Sequence, residues 1–99
     1  MESKKGFSLG QMVMTRGVNE LIAENIDFAK HVGTAFDRYC AQDWGDLGAE
    51  DKTMNDAAVA SGEDRIFARY NFPGDSEQDI YIITEWDRSV TTILFPSEY

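Results

Sequence analysis

Few of the residues on which catalysis and metal binding most often depend occur in this chain of 99 residues. It contains one cysteine, Cys40, and one histidine, His31, so an internal disulfide is excluded and the usual zinc ligand sets are missing. We expect Cys40 to be a small buried residue of a helix and His31 to be packed or solvated rather than catalytic. The sequence therefore predicts no cofactor and no metal.

Long apolar runs and targeting segments are missing as well. No apolar stretch approaches the length of a membrane span, and no apolar segment of a signal peptide follows the first six residues, Met-Glu-Ser-Lys-Lys-Gly. The chain also has no glycine-rich phosphate loop, nucleophile elbow or kinase signature. These absences predict a soluble, cytoplasmic protein that has no membrane partner and is not an enzyme of a recognisable class.

Basic residues are scarce relative to acidic ones. Eighteen acids against nine bases give a net charge of −9 and a pI near 4.3. A free-standing nucleic-acid-binding protein needs a basic surface, so direct binding of nucleic acid is not expected. A protein partner with a basic surface is electrostatically favoured, although a net charge also serves solubility alone.

The apolar residues predict one domain over residues 7–99, preceded by a disordered tail at residues 1–6. Periodicity and turn residues indicate strands at 7–15, 65–72, 80–85 and 90–95, and helices at about 16–24, 26–41 and 49–61. The order is β-ααα-βββ. Short turns between the last three strands predict an antiparallel meander. We therefore expect a two-layer α+β fold, with a four-stranded, mainly antiparallel sheet covered by about three helices.

Several local features of these elements can be predicted. Thr15 and Asn25 are suited to cap the first two helices. Gly33, inside the second helix, suggests a close approach by another backbone. The first strand is mixed on both faces, which is typical of a strand in the middle of a sheet, but the order of elements requires it to join the meander at an edge or beside its last strand. The apolar face of the second helix comprises Phe28, Val32, Ala35, Phe36 and Tyr39, and that of the third comprises Met54, Ala57, Ala58 and Ser61.

The acidic residues concentrate between residues 41 and 64, where seven acids meet a single base, Lys52, for a local charge of −6. Three interpretations stay open: a solvated loop and helix face, a docking surface for a basic partner, and a divalent-metal site. The metal site would use Asp43, Asp46, Glu50 and Asp51, which do not follow the EF-hand pattern. The docking surface would comprise Asp43, Trp44, Asp46, Glu50, Asp51, Asp56, Glu63 and Asp64.

A second candidate site is the turn between the last two strands, where Glu85, Asp87 and Arg88 occur together. Two acids and a guanidinium at a sheet end could form a catalytic group or hold a ligand. The alternative is a structural turn, in which the Asp87 side chain bonds the backbone of the turn and Arg88 pairs across the turn.

Several blocks of the sequence carry a resemblance. They are Asp-Trp-Gly-Asp-Leu at 43–47, Glu-Asp-Lys at 50–52, Ile-Ile-Thr-Glu-Trp-Asp-Arg-Ser-Val-Thr-Thr-Ile-Leu-Phe-Pro at 82–96 and the final Glu98-Tyr99. Together they resemble a family of small bacterial plasmid-related proteins, over about residues 7–99. The resemblance implies a mobile-element setting, but no activity and no catalytic residues. Gln42 stands where a Gly is expected, which argues against a tight turn there.

The leading functional hypothesis is a non-enzymatic interaction protein of a mobile element. Its acidic face would engage a basic protein, such as a host defence nuclease or a CRISPR component, and inhibit it. One alternative is a metal-dependent or acid/base hydrolase that uses Asp43, Asp46, Glu85 and Arg88. Another is a structural accessory protein that forms homodimers or larger homo-oligomers through an exposed strand edge.

Overall fold

The computed structural model describes residues 7–99, so the tail predicted at residues 1–6 lies outside the described residues. The predicted order of elements and the α+β class are confirmed. Within the described part of the chain, no helix is long and apolar enough to cross a membrane. The elements are β1 (Gln11–Met14), α1 (Arg16–Glu24), α2 (Ile26–Cys40), α3 (Ala49–Ser61), β2 (Ile66–Tyr70), β3 (Ile80–Thr84) and β4 (Val90–Leu94).

The four strands form one sheet in the order β1-β4-β3-β2. Strands β2, β3 and β4 are the predicted antiparallel meander, and β1 lies parallel to β4 at the sheet edge. Parallel pairing requires a long crossover, which here contains the three helices and the meander itself. The position of β1 at the edge, beside the last strand of the meander, is as predicted, whereas its mixed pattern, which is typical of a strand in the middle of a sheet, does not reflect burial on both sides.

The core lies between α2 and one face of the sheet. Alternate residues of each strand point to this face, as the two-residue repeat of a strand requires. The predicted stripe of α2 faces them, although Phe36 is only half-buried. Full burial of a large apolar side chain stabilises a fold by roughly 1.5–3 kcal/mol. The buried cluster includes Phe28, Val32, Ala35 and Tyr39 of α2 and Ile66, Ala68, Tyr70, Ile80, Ile82 and Ile93 of the sheet.

A chain of buried hydroxyl groups crosses this core. The Tyr39 hydroxyl lies 2.7 Å from Thr84 Oγ1, which lies 2.7 Å from Thr91 Oγ1. Thr91 donates in turn to the carbonyl oxygen of Leu9 at 2.7 Å. A carbonyl can only accept, so each hydroxyl donates toward Leu9 and all three are satisfied without water. The chain links α2, β3, β4 and the residues that lead into β1.

Local capping follows the prediction. Thr15 Oγ1 accepts the N–H of Val18 at 3.3 Å, and Asn25 Oδ1 accepts the N–H of Phe28 at 3.0 Å. The backbone N–H of Asn25 also donates to the carbonyl of Leu21, so one residue ends α1 and begins α2. These caps depend only on neighbours in sequence, which is why the sequence reveals them.

Three local predictions are wrong. No atom beyond its own helix and its chain neighbours lies within 4 Å of a Cβ built at Gly33, so no other backbone approaches it. In α3 the buried residues are Asn55 and Ala58, whereas Met54 is 67% exposed. The turn at Gln42 does form, because this residue adopts a left-handed backbone with φ 64°.

Candidate functional site

The predicted acidic surface divides into two groups, one at each end of α3. Thirteen residues of helix span roughly 20 Å, so the groups are well separated. Glu50 and Asp51 lie in the first turn, next to the preceding loop, and are exposed. Glu63 and Asp64 follow the last turn and are also exposed. The two groups therefore have different surroundings.

In the first group, Asp43 is held by an arginine. Its carboxylate accepts two hydrogen bonds from the Arg38 guanidinium, at 2.8 and 3.2 Å, and a third from the N–H of Gly45. The bond from Arg38 holds the pKa of Asp43 below its ordinary value. The Arg38 guanidinium also lies 5.2 Å from the centroid of the Tyr70 ring. Asp43 thus joins the loop to α2.

Two further acidic residues of the predicted docking surface form hydrogen bonds within the protein. Asp46 accepts the N–H of Asn71 at 2.9 Å, and Asp56 accepts the indole N–H of Trp44 at 2.9 Å. Trp44 is only 3% exposed and packs edge-on against Tyr39, with ring centroids 5.5 Å apart. These contacts attach the loop and α3 to the core.

The loop also closes the outer edge of β2. Gly45 forms a parallel bridge with Arg69, and the N–H of Asp46 donates to the carbonyl of Arg69 at 2.7 Å. Gly45 has a φ of 78°, and a Cβ there would overlap the Arg69 carbonyl oxygen, so only glycine fits.

Asn55 closes the remainder of that edge with its side-chain amide. Its Nδ2 donates to the carbonyl of Phe67 at 2.7 Å, and its Oδ1 accepts the N–H of Phe67 at 3.2 Å. The amide therefore bonds Phe67 as the backbone of a neighbouring strand would. Sequence reasoning missed this role, and its only signal was a polar residue on the side of α3 that packs inward.

The second candidate site, the turn between β3 and β4, is organised by Arg88. This residue has a left-handed backbone with φ 62°. Its guanidinium donates to four backbone carbonyl oxygens, those of Ala58, Asp64, Glu85 and Trp86, at 2.7–3.2 Å. Arg88 thus pairs with backbone across the turn, and it attaches the turn to the C-terminal end of α3 and to the segment before β2.

Asp87 completes the turn as predicted. Its Oδ1 accepts the N–H of Ser89 at 3.0 Å, and hydrogen bonding from the Ser89 side chain, followed by this backbone bond, holds the pKa of Asp87 below its ordinary value. The segment before β1 packs against the same turn, because a Cβ at Gly10 would overlap the carbonyl oxygen of Arg88. The turn is therefore held by its own side chains and by neighbouring backbone.

These contacts bring the second acidic group and the turn together. A single atom, Nη1 of Arg88, bonds the carbonyls of both Asp64 and Trp86, so the two segments lie side by side. The side chain of Trp86 is 65% exposed. We call this region the Trp86 surface, and it comprises Glu63, Asp64, Glu85, Trp86 and Asp87. The sequence placed its acids in two separate sites and gave no role to Trp86.

The residues of the hydrolase hypothesis are not brought together. The Asp43 carboxylate accepts a hydrogen bond from the Arg38 guanidinium. Its backbone carbonyl accepts one from the hydroxyl of Tyr70, the last residue of β2. Glu85 and Arg88 lie by Asp64, before that strand begins. Within residues 7–99, no group of three or more His, Cys, Asp or Glu side chains could hold a metal ion.

His31 has a packing role. Its Nε2 donates to the carbonyl of Tyr70 at 3.2 Å, and its ring meets Phe72 edge-on at a centroid distance of 5.1 Å. Burial lowers the pKa of His31 from its ordinary value of 6.5, despite the opposing effect of the Tyr70 carbonyl. The neutral ring is therefore favoured in the folded protein.

An open cleft of about 500 Å³ lies elsewhere on the molecule. Its lining includes Arg69, Glu77 and Phe95 but none of the residues predicted as sites. The Arg69 guanidinium is already engaged, since it pairs with Asp79 at 3.0 Å and bonds Asn71 at 2.8 Å. The cleft therefore offers no uncompensated charge from this arginine for an anionic ligand.

The Trp86 surface is thus the one arrangement in the described structure that combines exposed charge with an exposed aromatic anchor on a fixed turn. No protein-family model, no curated protein and no solved structure matches this chain.

Proposed function

We propose that this protein is a non-enzymatic interaction protein that binds a basic surface of another protein through the Trp86 surface. The observation that carries the proposal is the exposure of Trp86, 65%, on a turn that Arg88 fixes by four hydrogen bonds to backbone. A large aromatic side chain on a rigid segment loses little conformational freedom on binding. Tryptophan is also enriched among the residues that dominate binding energy at protein interfaces.

The charges around Trp86 indicate the chemistry of the partner. Glu63, Asp64, Glu85 and Asp87 are exposed. Of the two neighbouring bases, Arg88 directs its guanidinium to backbone carbonyls and Arg65, next to Asp64, donates to the Tyr99 hydroxyl. Such a surface attracts lysine and arginine side chains and accelerates association with a basic protein. We expect the partner to present an apolar pocket for the indole, bordered by basic residues.

The first acidic group supports a wider contact along α3. Glu50, Asp51 and Met54 are exposed, and no structural hydrogen bond of the described chain uses their side chains. Asp43, Asp46 and Asp56 are bound to Arg38, Asn71 and Trp44, so they would contribute charge rather than direct contacts. We place the centre of the interface at Trp86 and its edge on α3.

Inhibition of a nucleic-acid-processing protein, such as a defence nuclease or a CRISPR component, is the specific form of this function that we favour. A groove that binds DNA or RNA concentrates basic side chains, because binding depends on phosphate contacts. Carboxylates placed around an aromatic anchor would occupy such a groove in competition with nucleic acid.

The test is photo-crosslinking from residue 86. A photoreactive phenylalanine derivative replaces Trp86 in one protein and Ile26, which is 70% exposed on α2, in a control. We expect a protein of the native host to be crosslinked from position 86 and not from position 26. The purified partner should then lose binding to the Glu63→Lys/Glu85→Lys variant and keep binding to Glu24→Lys/Asp37→Lys, which has the same charge change. Equal effects of the two double variants would contradict the proposal.

A further inference from the structure

The free edge of β1 is unusual for an edge strand. Met12, Val13 and Met14 are 40%, 37% and 44% exposed, and Gln11–Met14 contains neither a charged residue nor a proline. Edge strands of monomeric proteins are commonly protected by such residues or by covering segments. Here α1 packs against α2 and β4 and leaves these side chains exposed.

The backbone of this edge is available for pairing. The N–H of Gln11 donates to Ser89 and the N–H of Thr15 donates to Ile93, so alternate residues of β1 face β4. Met12 and Met14 consequently direct their N–H and C=O groups away from β4. Within residues 7–99, no backbone or side-chain group bonds them on that side.

The opposite edge of the sheet differs, because Asn55 and the Gly45–Asp46 backbone occupy the outer side of β2. A second copy cannot add its β1 to that edge without displacing these groups. The remaining arrangement pairs the β1 strand of one copy with the β1 strand of another. Such a contact has twofold symmetry and ends with the dimer. Head-to-tail growth into a fibre is prevented by the same contacts.

We propose that two copies of this chain form a dimer in which their β1 strands pair antiparallel about a twofold axis through Val13. In this register Met12 lies opposite Met14 of the second copy, and each exchanges N–H···O bonds with the other. Val13 lies opposite Val13 of the second copy in a non-hydrogen-bonded pair, where side chains approach most closely. The two four-stranded sheets then form one continuous sheet.

The side chains fit this register. Met12 and Met14 share the helix-covered face with Thr91 and Ile93, their partners on β4. The methionines of both copies would pack together between the two α1 helices, and methionine adapts well to such irregular gaps. On the other face the two Val13 side chains cover each other. All three exposed apolar residues of β1 are thereby removed from water.

The distribution of charge favours this surface for self-association. Two chains of net charge −9 repel one another, so an interface between them should avoid acids. Residues 7–19, which include β1, contain one base and no acid, and residues 88–97, which include the adjacent β4, contain no acid either. The dimer therefore joins surfaces that are poor in acids, with Glu98, which accepts the Thr15 hydroxyl at 2.7 Å, at their margin.

Sedimentation equilibrium of the full chain tests the dimer. We expect a mass of twice the 11.2 kDa chain at high concentration, falling to the single chain in Met12→Lys/Met14→Lys. Met14→Pro should also be monomeric and folded, because it removes only an N–H that points away from β4. Circular dichroism would confirm that both variants keep the native fold. A monomeric wild-type chain, or a dimer that both variants retain, would overturn the proposal.

A disulfide tests the register. In a Cys40→Ser background, Val13→Cys should form a disulfide-linked dimer on mild oxidation, because opposite non-hydrogen-bonded residues place their Cα atoms about 4.5 Å apart, within the range that a disulfide spans. Gln11→Cys lies on the same face but opposite Thr15 of the second copy, so it should remain unlinked. Efficient linkage from Gln11→Cys and none from Val13→Cys would contradict the twofold position that we propose.

Discussion

The Nη2 atom of Arg88 donates a hydrogen bond to the carbonyl oxygen of Ala58 at 2.9 Å. This contact joins two segments thirty residues apart, the turn between β3 and β4 and the last turn of α3. A cation at the C-terminal end of a helix also interacts favourably with the helix dipole. The Trp86 surface depends on Arg88, because this contact and the bond from Nη1 to the Asp64 carbonyl join the turn to the acids that follow α3.

Replacement of Arg88 by alanine should destabilise the fold. Hydrogen bonds to charged groups contribute about 1.5–3 kcal/mol each and are not additive, so we expect a loss of about 2–4 kcal/mol in urea denaturation. Arg88→Lys should recover only part of this loss. The ammonium group of lysine is compact and cannot bond all four carbonyls, as the planar guanidinium does. Arg16→Ala, which removes an exposed ion pair at 3.8 Å, is the control and should change the stability by less than about 0.5 kcal/mol. Similar stabilities of the two alanine variants would contradict the role given to Arg88.

Replacement of Gln42 by glycine should stabilise the fold. Gln42 has a φ of 64°, a conformation that costs a non-glycine residue about 1 kcal/mol or more, and its side chain makes no hydrogen bond in the described structure. We expect a gain of about 0.5–1 kcal/mol in the free energy of unfolding. Arg88→Gly provides the contrast. Arg88 has a similar φ of 62°, but its side chain is hydrogen-bonded, so its removal should destabilise the fold. If both glycine variants shift stability in the same direction, backbone strain is not the deciding factor at Gln42.

These two residues show how far the sequence could predict the structure. Thr15 and Asn25 were predicted as caps because a cap needs only the next three residues. A glutamine at position 42, where a glycine is expected, disfavours a tight turn, yet the neighbouring Arg38–Asp43 pair and the Tyr39 carbonyl hold the chain in one. Tertiary contacts thus overcame the local preference of glutamine.

The errors in β1 and α3 have a similar physical origin. The mixed pattern of β1 fits both a strand in the middle of a sheet and an exposed strand at its edge, so the pattern alone could not separate these cases. The order of the elements indicated the edge position. In α3, Met54 is more apolar than Asn55, but Asn55 is buried because β2 offers it an N–H and a C=O. The Trp86 surface could not be predicted because Arg88, Ala58 and Asp64 meet only in the folded chain.

Asn55→Ala should expose the edge of β2. Loss of the amide leaves the N–H and C=O of Phe67 without their partners, and we expect a destabilisation of about 1–3 kcal/mol. Hydrogen exchange of the Phe67 amide should become faster than that of its neighbours in β2. Thr53→Ala, on the exposed side of α3, is the matched control. Unchanged exchange at Phe67 would show that Asn55 does not protect this edge.

His31 should make stability depend on pH near neutrality. Its folded-state pKa lies below the ordinary value of 6.5, so the unfolded chain binds more protons in this range. Stability is therefore highest above about pH 6.5, falls as the pH drops through this value, and levels off below the folded-state pKa. Denaturation of the wild type and of His31→Gln between pH 5 and 8 measures the effect, and the variant should lose this part of the slope. Identical pH profiles would contradict the burial of a neutral ring.

The affinity of Trp86→Ala for the protein crosslinked from position 86 tests the central claim most directly. Titration calorimetry at several salt concentrations would compare it with the wild type and with Tyr99→Ala, which removes another exposed aromatic residue, 64% exposed. We predict that Trp86→Ala weakens binding by about 30-fold or more, equivalent to about 2 kcal/mol, and that wild-type binding weakens with salt. Tyr99→Ala should bind like the wild type. An unchanged affinity of Trp86→Ala would contradict the proposal that this surface is where the protein binds its partner.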